Sequence, residues 1–269
     1  MYEAYWNLRM PPFENRPDPR FFYGSRAHHE CLTRLRYAVN RRKGPVLLTG
    51  PAGSGKTLVC HRFLASLPRG AYDVAVVPEL DPDPETFLRE ALRRWGQEPG
   101  SGGRSELGAQ IRSHLLENHR RGVESLLVMD GAHAVQTPEA LNEIRLLLPP
   151  RFGGRFVLTL VLVGRPELVA RVRSVPALDQ RIGVPVRLGP LSREETIRYV
   201  LTRLKRAGAG RCMFRPRALD TVHQLSEGLP REINTLCDAA LLRAYLERAP
   251  FVEAHHVALG EEAAAATCA

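Results

Sequence analysis

A glycine-rich loop that ends in a lysine and a threonine carries the clearest chemistry in the sequence. Residues 50–57 read Gly-Pro-Ala-Gly-Ser-Gly-Lys-Thr and match the pattern G-x-x-x-x-G-K-[S/T] at every fixed position. Glycines let successive backbone N–H groups turn inward, and with the start of a helix these amides form an anion-binding cradle. The pattern predicts that Lys56 reaches the β- and γ-phosphates of ATP and that the Thr57 hydroxyl ligates Mg²⁺.

An ordinary glycine-rich turn between a strand and a helix is the alternative interpretation of this loop. Its flanks favour the phosphate site, because residues 45–49 form a short apolar run and residues 57–67 carry apolar side chains at helical spacing. Only three of the 38 basic residues are lysines, and one stands where the pattern requires it. The predicted nucleotide-binding residues are Gly50, Pro51, Ala52, Gly53, Ser54, Gly55, Lys56, Thr57 and Leu58, with Arg231 as a further contact.

Further charged residues lie next to predicted strands or, for Arg231, at the start of a predicted lid helix. Asp130 follows four apolar residues, as a Walker B aspartate does, which predicts a second Mg²⁺ ligand beside Thr57. Arg165, Arg181 and Arg231 are candidate cations for the γ-phosphate, although an arginine alone is more often a surface charge. Ligands of parallel sheets bind at the carboxyl ends of the strands, and we expect all these groups there.

The alternation of apolar runs and helical patterns predicts an α/β fold with a parallel sheet. The predicted strands cover residues 45–49, 73–77, 125–129, 156–163 and 184–188, and Pro185 places the last at a sheet edge. The predicted helices cover residues 26–42, 57–67, 83–95, 106–120, a segment from 137, and 166–177. From Ser192 onward only helices are predicted, beginning with a capping box and continuing over 216–226 and 230–247.

The predicted domain organisation follows this change of pattern. Residues 26–189 form the α/β nucleotide-binding domain and residues 190–260 a helical lid. Residues 1–25, rich in proline and aromatic residues, are predicted to be an extended segment pinned by its rings to the domain surface. The alanine-rich residues 261–269 are predicted to be a disordered tail.

Composition favours certain classes of binding partner and one cellular compartment. The net charge of +9 over 269 residues favours an anionic partner, nucleic acid or an acidic lipid surface, and residues 151–155 form a basic loop. Five scattered cysteines without a C-x-x-C pair predict reduced thiols in a cytoplasmic protein. The N-terminus lacks a signal-peptide pattern, and the longest apolar run, residues 156–163, is too short to cross a membrane.

Taken together, the motifs resemble the AAA+ ATPases, and among them the ATPase module of the general secretion pathway protein A (ExeA-type) family, which is related to the transposition ATPases. The similar stretches are residues 17–29, 37–39, the phosphate loop, 162–168, 180–182, 189–192 and 228–238. The resemblance implies a five-stranded sheet of order 5-1-4-3-2, a helical lid, and ATP with Mg²⁺ bound between lid and sheet. It also implies that Arg231 acts as sensor 2 and that Arg165 holds the sensor 1 position. Arg181 is then the finger that reaches the nucleotide of a neighbouring subunit in a homo-oligomeric ring or filament.

Two positions depart from the family pattern. Gly131 stands where the family has the glutamate that polarises the attacking water, and Arg165 stands where it usually has glutamine. A general base contributes on the order of 10²- to 10⁴-fold in rate, so the first departure predicts ATP binding with slow turnover. His133 and Glu79 are candidate substitutes for the base, and Arg165 could stabilise phosphate charge or hold ATP unhydrolysed. The sequence is expected to be the ATPase module without the family's membrane anchor and peptidoglycan-binding module.

The sequence leaves three functions open. The first is an ATP hydrolase that drives assembly or remodelling of a protein partner. The second is an ATP-gated, DNA-binding oligomeric switch of the transposition-ATPase type with little hydrolysis. The third, which the intact Lys56-Thr57 pair argues against, is a degenerate module that binds no nucleotide.

Overall fold

The computed structural model describes residues 1–16, 18–78, 83–135, 137–146, 148 and 156–258. The chain divides into two compact units. The first, called here the lid unit, comprises Met1–Ala27, Pro51–Leu58 and Gly189–Ala269. The second, called the sheet unit, comprises His28–Gly50 and Val59–Leu188. The phosphate loop therefore groups with the C-terminal helices and the N-terminal segment.

Five parallel strands form the centre of the sheet unit. They are β1 (Val46–Thr49), β2 (Tyr72–Pro78), β3 (Glu124–Asp130), β4 (Leu158–Gly164) and β5 (Val184–Arg187). Their spatial order is β2-β3-β4-β1-β5, which confirms the predicted order 5-1-4-3-2. Pro185 lies on the edge strand β5, as expected for a residue that cannot donate a ladder hydrogen bond.

Helices connect these strands. They are α1 (Arg26–Asn40), α2 (Lys56–Leu64), α3 (Pro84–Arg94), α4 (Arg104–Arg120), α5 (Pro138–Leu146), α6 (Glu167–Arg173) and α7 (Pro176–Asp179). The predicted cap of α3 is confirmed, because the Asp83 carboxylate accepts from the Thr86 N–H. The helical segment predicted over 166–177 contains two helices, because Pro176 has no N–H with which to continue α6 and begins α7 instead.

A polar cluster ties α4 to the amino ends of two strands. The side-chain amide of Asn118 donates to Asp73 Oδ2 at 2.7 Å and to Ser125 Oγ at 3.1 Å. His114 Nε2 lies 2.7 Å from the same Asp73 oxygen. Asp73 and Ser125 are paired residues near the starts of β2 and β3, so the C-terminal half of α4 is fixed at the edge where the strands begin.

Helices make up the C-terminal part of the lid unit. They are α8 (Arg193–Arg206), α9 (Pro216–Ser226), α10 (Pro230–Leu246) and α11 (Ala254–Ala258). Ser192 and Glu195 form the predicted capping box, with both reciprocal hydrogen bonds present. The described residues after β5 contain no further strand, only a single bridge between Phe214 and Val252. The five-residue helix α11 was not predicted, because so short a segment has no clear periodicity.

The N-terminal segment corrects the prediction of an extended chain. Residues 3–7 form turns, and Pro19–Phe21 is a short 3-10 helix. The rings of Tyr2, Trp6 and Phe13 are buried in the core of the lid unit, where Trp6 Nε1 donates to the Leu241 carbonyl. Large rings remove more apolar area from water inside a core than on a surface. The N-terminal segment therefore turns inward to bury them and does not run extended along the surface. The predicted tail, residues 261–269, and the basic loop, residues 151–155, lie outside the described residues.

Candidate functional site

The phosphate loop has a backbone that only glycine adopts readily. Gly53 and Gly55 have φ values of +73° and +94°, in the left-handed region. The helix α2 begins immediately afterwards at Lys56, so its first N–H groups complete an anion-binding cradle. The ammonium group of Lys56 donates to the Pro51 carbonyl at 2.7 Å, which holds the side chain over the loop.

A cavity of about 260 Å³ lies against this loop within the lid unit. Its walls come from the phosphate loop, the start of α10, one face of α8 and the N-terminal segment. The lining residues are Asn15, Arg16, Gly53, Gly55, Lys56, Thr57, Leu58, Tyr199, Arg203, Pro230, Arg231 and Asn234. The structure thus brings most of the predicted loop residues together with Arg231.

Arg231 contacts the loop directly. Its backbone N–H donates to the Gly53 carbonyl at 3.3 Å. A Cβ atom on Gly53 would approach the Arg231 Cβ to 2.7 Å, so only glycine allows α10 to begin this close to the loop. Glycine is therefore required at position 53 for two reasons, the left-handed backbone and the close contact with Arg231.

Ser54 has a property that fits a phosphate site. Its side chain is fully buried, and its Oγ has no hydrogen-bond partner within the described ranges. A buried hydroxyl without a partner costs about 1–3 kcal/mol. A phosphate oxygen is an acceptor that would satisfy it.

Arg203 was missed by the sequence analysis and lines the same cavity. Its guanidinium is buried and donates to the Pro12 carbonyl at 2.5 Å and the Glu14 carbonyl at 3.0 Å. It also donates to Tyr199 Oη at 2.7 Å and to Asn234 Oδ1 at 2.9 Å. Arg203 therefore joins α8, α10 and the N-terminal segment around one wall of the cavity.

The amides at this wall form a connected pair. Asn234 Nδ2 donates to Asn15 Oδ1 at 3.0 Å, and Asn15 Nδ2 donates to Thr235 Oγ1 at 3.1 Å. Asn15 belongs to no recognisable motif, and Asn234 lies in the family-like stretch 228–238 but was not identified as a site residue. The sequence gives one indication that Arg203 is buried. It falls on the apolar stripe of α8 with Tyr199 and Val200, where a surface arginine is not expected.

The other predicted site residues lie in the sheet unit, at two different edges. Asp130 ends β3 opposite Val163, and the exposed Arg165 follows β4, so both lie at the carboxyl edge. Arg181 precedes β5 and lies at the amino edge, where its guanidinium donates to the Leu148 carbonyl at 2.9 Å. The expectation that all candidate cations meet at the carboxyl ends is wrong for Arg181, because a residue before a strand lies at the opposite edge from one after it.

The segment after Asp130 has a defined conformation. Gly131 has a φ of +81°, and Ala132–Ala134 form a short 3-10 helix. The guanidinium of Arg171 donates to the carbonyls of His133 and Val135, the second at 3.1 Å. His133 is thereby placed at the carboxyl edge, whereas Glu79, the other candidate base, lies outside the described residues.

The chain has a phosphate loop after β1, a parallel sheet of order 2-3-4-1-5, and only helices after β5 within the described residues. These features define a P-loop ATPase of the AAA+ class. The family model described as an AAA domain matches residues 39–172. The fold is similar to that of the ORC2 protein of Aeropyrum pernix (TM-score 0.68, 15% identity, 94% of this chain and 71% of that one). It is also similar to Drosophila ORC bound to DNA (TM-score 0.64, 16% identity, 87% and 59%) and to Cdc6p of Pyrobaculum aerophilum (TM-score 0.65, 17% identity, 90% and 67%).

The chain belongs to the AAA+ ATPases of the ExeA type. It is 38% identical over 250 residues to general secretion pathway protein A of Aeromonas hydrophila. The match covers 91% of this chain and 45% of that protein, so the chain spans less than half of its relative's length. This confirms the family resemblance that the motifs indicated. Within the described residues, no helix combines the length and the apolar character that a membrane crossing requires.

Proposed function

We propose that the chain binds ATP with Mg²⁺ in the cavity of the lid unit and hydrolyses it slowly. The observation that carries the proposal is the cavity that the phosphate loop shares with Arg231. Lys56 and two left-handed glycines line it, the unpartnered Ser54 hydroxyl is buried in the same loop, and Arg231 lies in the first turn of the adjoining helix. This donor set suits a triphosphate and offers no carboxylate that would repel it.

The residues of the loop divide the work of holding the phosphates. The loop amides and Ser54 Oγ donate to phosphate oxygens, and Lys56 neutralises the charge between the β- and γ-phosphates. Mg²⁺ supplies further charge neutralisation when it is bound. Thr57 and Asp130 are its proposed ligands, and their pairing rests on the sequence because the two residues belong to different units.

The opposite wall of the cavity is the proposed site of the nucleoside. Asn15, Asn234 and Tyr199 line it with amide and phenol groups, and Arg203 donates to Tyr199 and Asn234. Asn234 donates one N–H to Asn15 and Asn15 donates one to Thr235, so each asparagine keeps one N–H that can donate to a base or a sugar. Binding of ATP would then depend on the docked N-terminal segment as well as on the loop.

Calorimetry with Mg-ATP tests the binding step. Because Lys56 is proposed to hold the phosphates, we expect Lys56→Ala to lower the affinity for Mg-ATP by about tenfold or more. Lys205→Ala, which removes an exposed lysine of α8 outside the cavity, is the matched control and should bind like the native chain. No heat from the native chain at millimolar ATP would overturn the proposal.

Steady-state phosphate release tests the slow turnover. Typical enzymes turn over at about 10 s⁻¹, and the loss of a general base lowers this by 10²- to 10⁴-fold, so we expect about 10⁻³ to 10⁻¹ s⁻¹. Gly131→Glu should raise the rate if its carboxylate reaches the attacking water. A native rate near 10 s⁻¹ would show that another group, such as His133, serves as the base.

An ATP-gated oligomeric switch is the second candidate function, and the backbone at Gly131 favours it. The left-handed φ of +81° favours glycine at this position. The backbone is therefore adapted to glycine, in addition to lacking the carboxylate of a general base. Arg181 is then proposed to contact a neighbouring subunit. Light scattering should detect larger species with Mg-ATP than without nucleotide, and equal masses under both conditions would exclude the switch.

A further inference from the structure

The loops that lead into the strands of the sheet unit carry cations and no acidic residue. Four of these loops are described: residues 41–45 before β1, 65–71 before β2, 121–123 before β3 and 180–183 before β5. Their charged residues are Arg41, Arg42, Lys43, Arg69, Arg121 and Arg181. Because the strands are parallel, all four loops lie at the amino edge of the sheet, opposite the edge at which Asp130 and Arg165 lie.

Four of these cations are exposed and lack a carboxylate partner. Arg42 is paired with Glu124 at 3.0 Å, and Arg181 donates to a backbone carbonyl. Arg41, Lys43, Arg69 and Arg121 are exposed and make no ion pair with any described carboxylate. Exposed arginines elsewhere in the sheet unit are mixed: Arg34 is paired with Glu30 and Arg94 with Glu90, whereas Arg112 makes no ion pair with a described carboxylate. What distinguishes the amino edge is therefore that its described loops carry unpaired cations and no acidic residue.

Helix ends explain only part of this charge. A cation just beyond the C-terminus of a helix interacts favourably with the helix dipole, which accounts for Arg41 after α1 and Arg121 after α4. The effect falls off within the last turn. It does not account for Arg69, five residues beyond α2, or for Lys43, which lies 5.8 Å from the centre of the Tyr37 ring.

The cations form a row whose length suits a sugar–phosphate backbone. Neighbouring strands are about 4.8 Å apart, so the part of the edge that carries these cations, from β2 to β1, is about 14 Å long. Along it Arg69 precedes β2, Arg121 precedes β3, and Arg41 and Lys43 precede β1. One strand of duplex DNA presents a phosphate about every 3.4 Å along its axis, so a row of this length faces about four phosphates. The half-exposed Tyr37 beside Lys43 adds an aromatic surface at one end.

We propose that the amino edge of the sheet, defined by Arg41, Lys43, Arg69 and Arg121, is a docking surface for the backbone of duplex nucleic acid. The surface reads no sequence, because its cations reach phosphates and its loops present no groups arranged for base edges. It deepens the proposed switch by naming where the nucleic acid binds. It is separate from the ATP cavity, which no residue of this surface lines.

Salt dependence of binding to a labelled duplex of mixed sequence tests the proposal, measured by anisotropy without nucleotide. Each neutralised phosphate contributes a slope of about −0.9 to the plot of log K against log salt, so four contacts predict about −3.6. Affinity should fall roughly a hundredfold between about 50 and 200 mM salt. A slope near zero, or no binding at the lowest salt, would overturn the proposal.

A pair of double variants with the same change of charge localises the contact. Arg69→Gln with Arg121→Gln should reduce the slope to about −1.8. Arg198→Gln with Arg217→Gln removes two exposed arginines of the lid unit and should leave the slope at about −3.6. Equal slopes for the two double variants would mean that net charge and not this edge attracts the duplex, which would overturn the assignment.

Two further measurements distinguish nucleic-acid docking from membrane binding and from ATP binding. Vesicles containing phosphatidylserine offer an anionic surface without a nucleic-acid backbone, and binding to them but not to the duplex would overturn the proposal in favour of a membrane contact. Calorimetry with Mg-ATP on the Arg69→Gln, Arg121→Gln variant should give the native affinity. Failure of ATP binding in the native chain would refute the proposed ATP function and leave the salt slope as an independent result.

Discussion

Gly131 is the single residue at which local conformation bears most directly on catalysis. It follows Asp130 with φ +81° and ψ 17°, and the next residues form a 3-10 turn that Arg171 holds through two carbonyls. A non-glycine residue in the left-handed region costs roughly 1–2 kcal/mol. A glutamate at this position would therefore have to bend the segment or accept the strain before it could act on water.

The strain at position 131 predicts a graded loss of stability. Gly131→Glu should lower the free energy of unfolding by about 1–2 kcal/mol in urea titrations, whereas Gly131→Asn should cost less, because asparagine enters the left-handed region more readily. Gly210→Glu is the control, since its position is open and its φ is not left-handed, and it should change stability by less than about 0.5 kcal/mol. Equal stability of Gly131→Glu and the native chain would contradict the assigned backbone conformation.

Arg203 shows how one side chain can hold several elements of the lid unit together. From α8 it reaches α10 through Asn234 and the N-terminal segment through the carbonyls of Pro12 and Glu14. Its guanidinium also stacks on the Phe21 ring at 4.7 Å. A planar group with several donors in fixed directions can make all these contacts at once, and an ammonium group cannot.

Arg203→Lys therefore tests the geometry while it keeps the charge. We expect the free energy of unfolding to fall by about 2–3 kcal/mol, because buried carbonyls lose their donors. Hydrogen exchange over residues 8–16 should become faster, and ATP affinity should fall, since the same side chain lines the cavity. Arg198→Lys, on an exposed position of the same helix, is the control. Unchanged exchange in the N-terminal segment would show that Arg203 does not anchor it.

The elements that could be predicted are those specified by neighbouring residues. The caps at Asp83 and Ser192 and the prolines that begin α9 and α10 act within one turn of their helices, so the sequence displays them directly. The strand order came from the family resemblance, and the sheet confirms it. By contrast, the burial of the N-terminal rings depends on helices more than 200 residues away, which no local pattern reveals.

Part of the candidate site escaped prediction for the same reason. The phosphate loop and Arg231 lie in motifs, whereas Asn15, Tyr199, Arg203 and Asn234 meet only after the lid unit has folded. A single sequence presents Arg203 as one of many arginines, and arginine is seldom fully buried. Arg181 could have been placed correctly, because strand direction alone puts a residue before β5 at the amino edge.

At the scale of the whole molecule, several carboxylates make the free energy of unfolding depend on pH in acid. A hydrogen bond from His256 lowers the pKa of Glu247, the Arg20 side chain lowers the pKa of Asp18, and the Thr86 backbone N–H lowers the pKa of Asp83. Each of these groups holds its proton less tightly in the folded chain than in the unfolded chain. Their stabilisation is therefore present above their ordinary pKa values and is lost as the pH falls through the lowered ones.

We accordingly expect the free energy of unfolding to be nearly constant between about pH 5 and 8 and to fall below about pH 4.5. Glu247→Gln should lower stability at pH 7 and make the decline in acid shallower, as urea titrations across this range would measure. Glu232→Gln, on the exposed face of α10, is the control and should keep the native profile. A profile of Glu247→Gln that parallels the native one would mean that the contact with His256 does not contribute.

The buried N-terminal rings also bear on how the chain is made. Tyr2 donates its phenol proton to Asp238, 236 positions later in the chain. At a synthesis rate of about 5–20 residues per second, the first rings emerge from the ribosome roughly ten seconds or more before the helices that cover them. The strands of the sheet unit are synthesised within that interval. A nascent chain in this state presents Tyr2, Trp6 and Phe13 to chaperones, and its phosphate loop acquires a complete pocket only when α10 has left the exit tunnel.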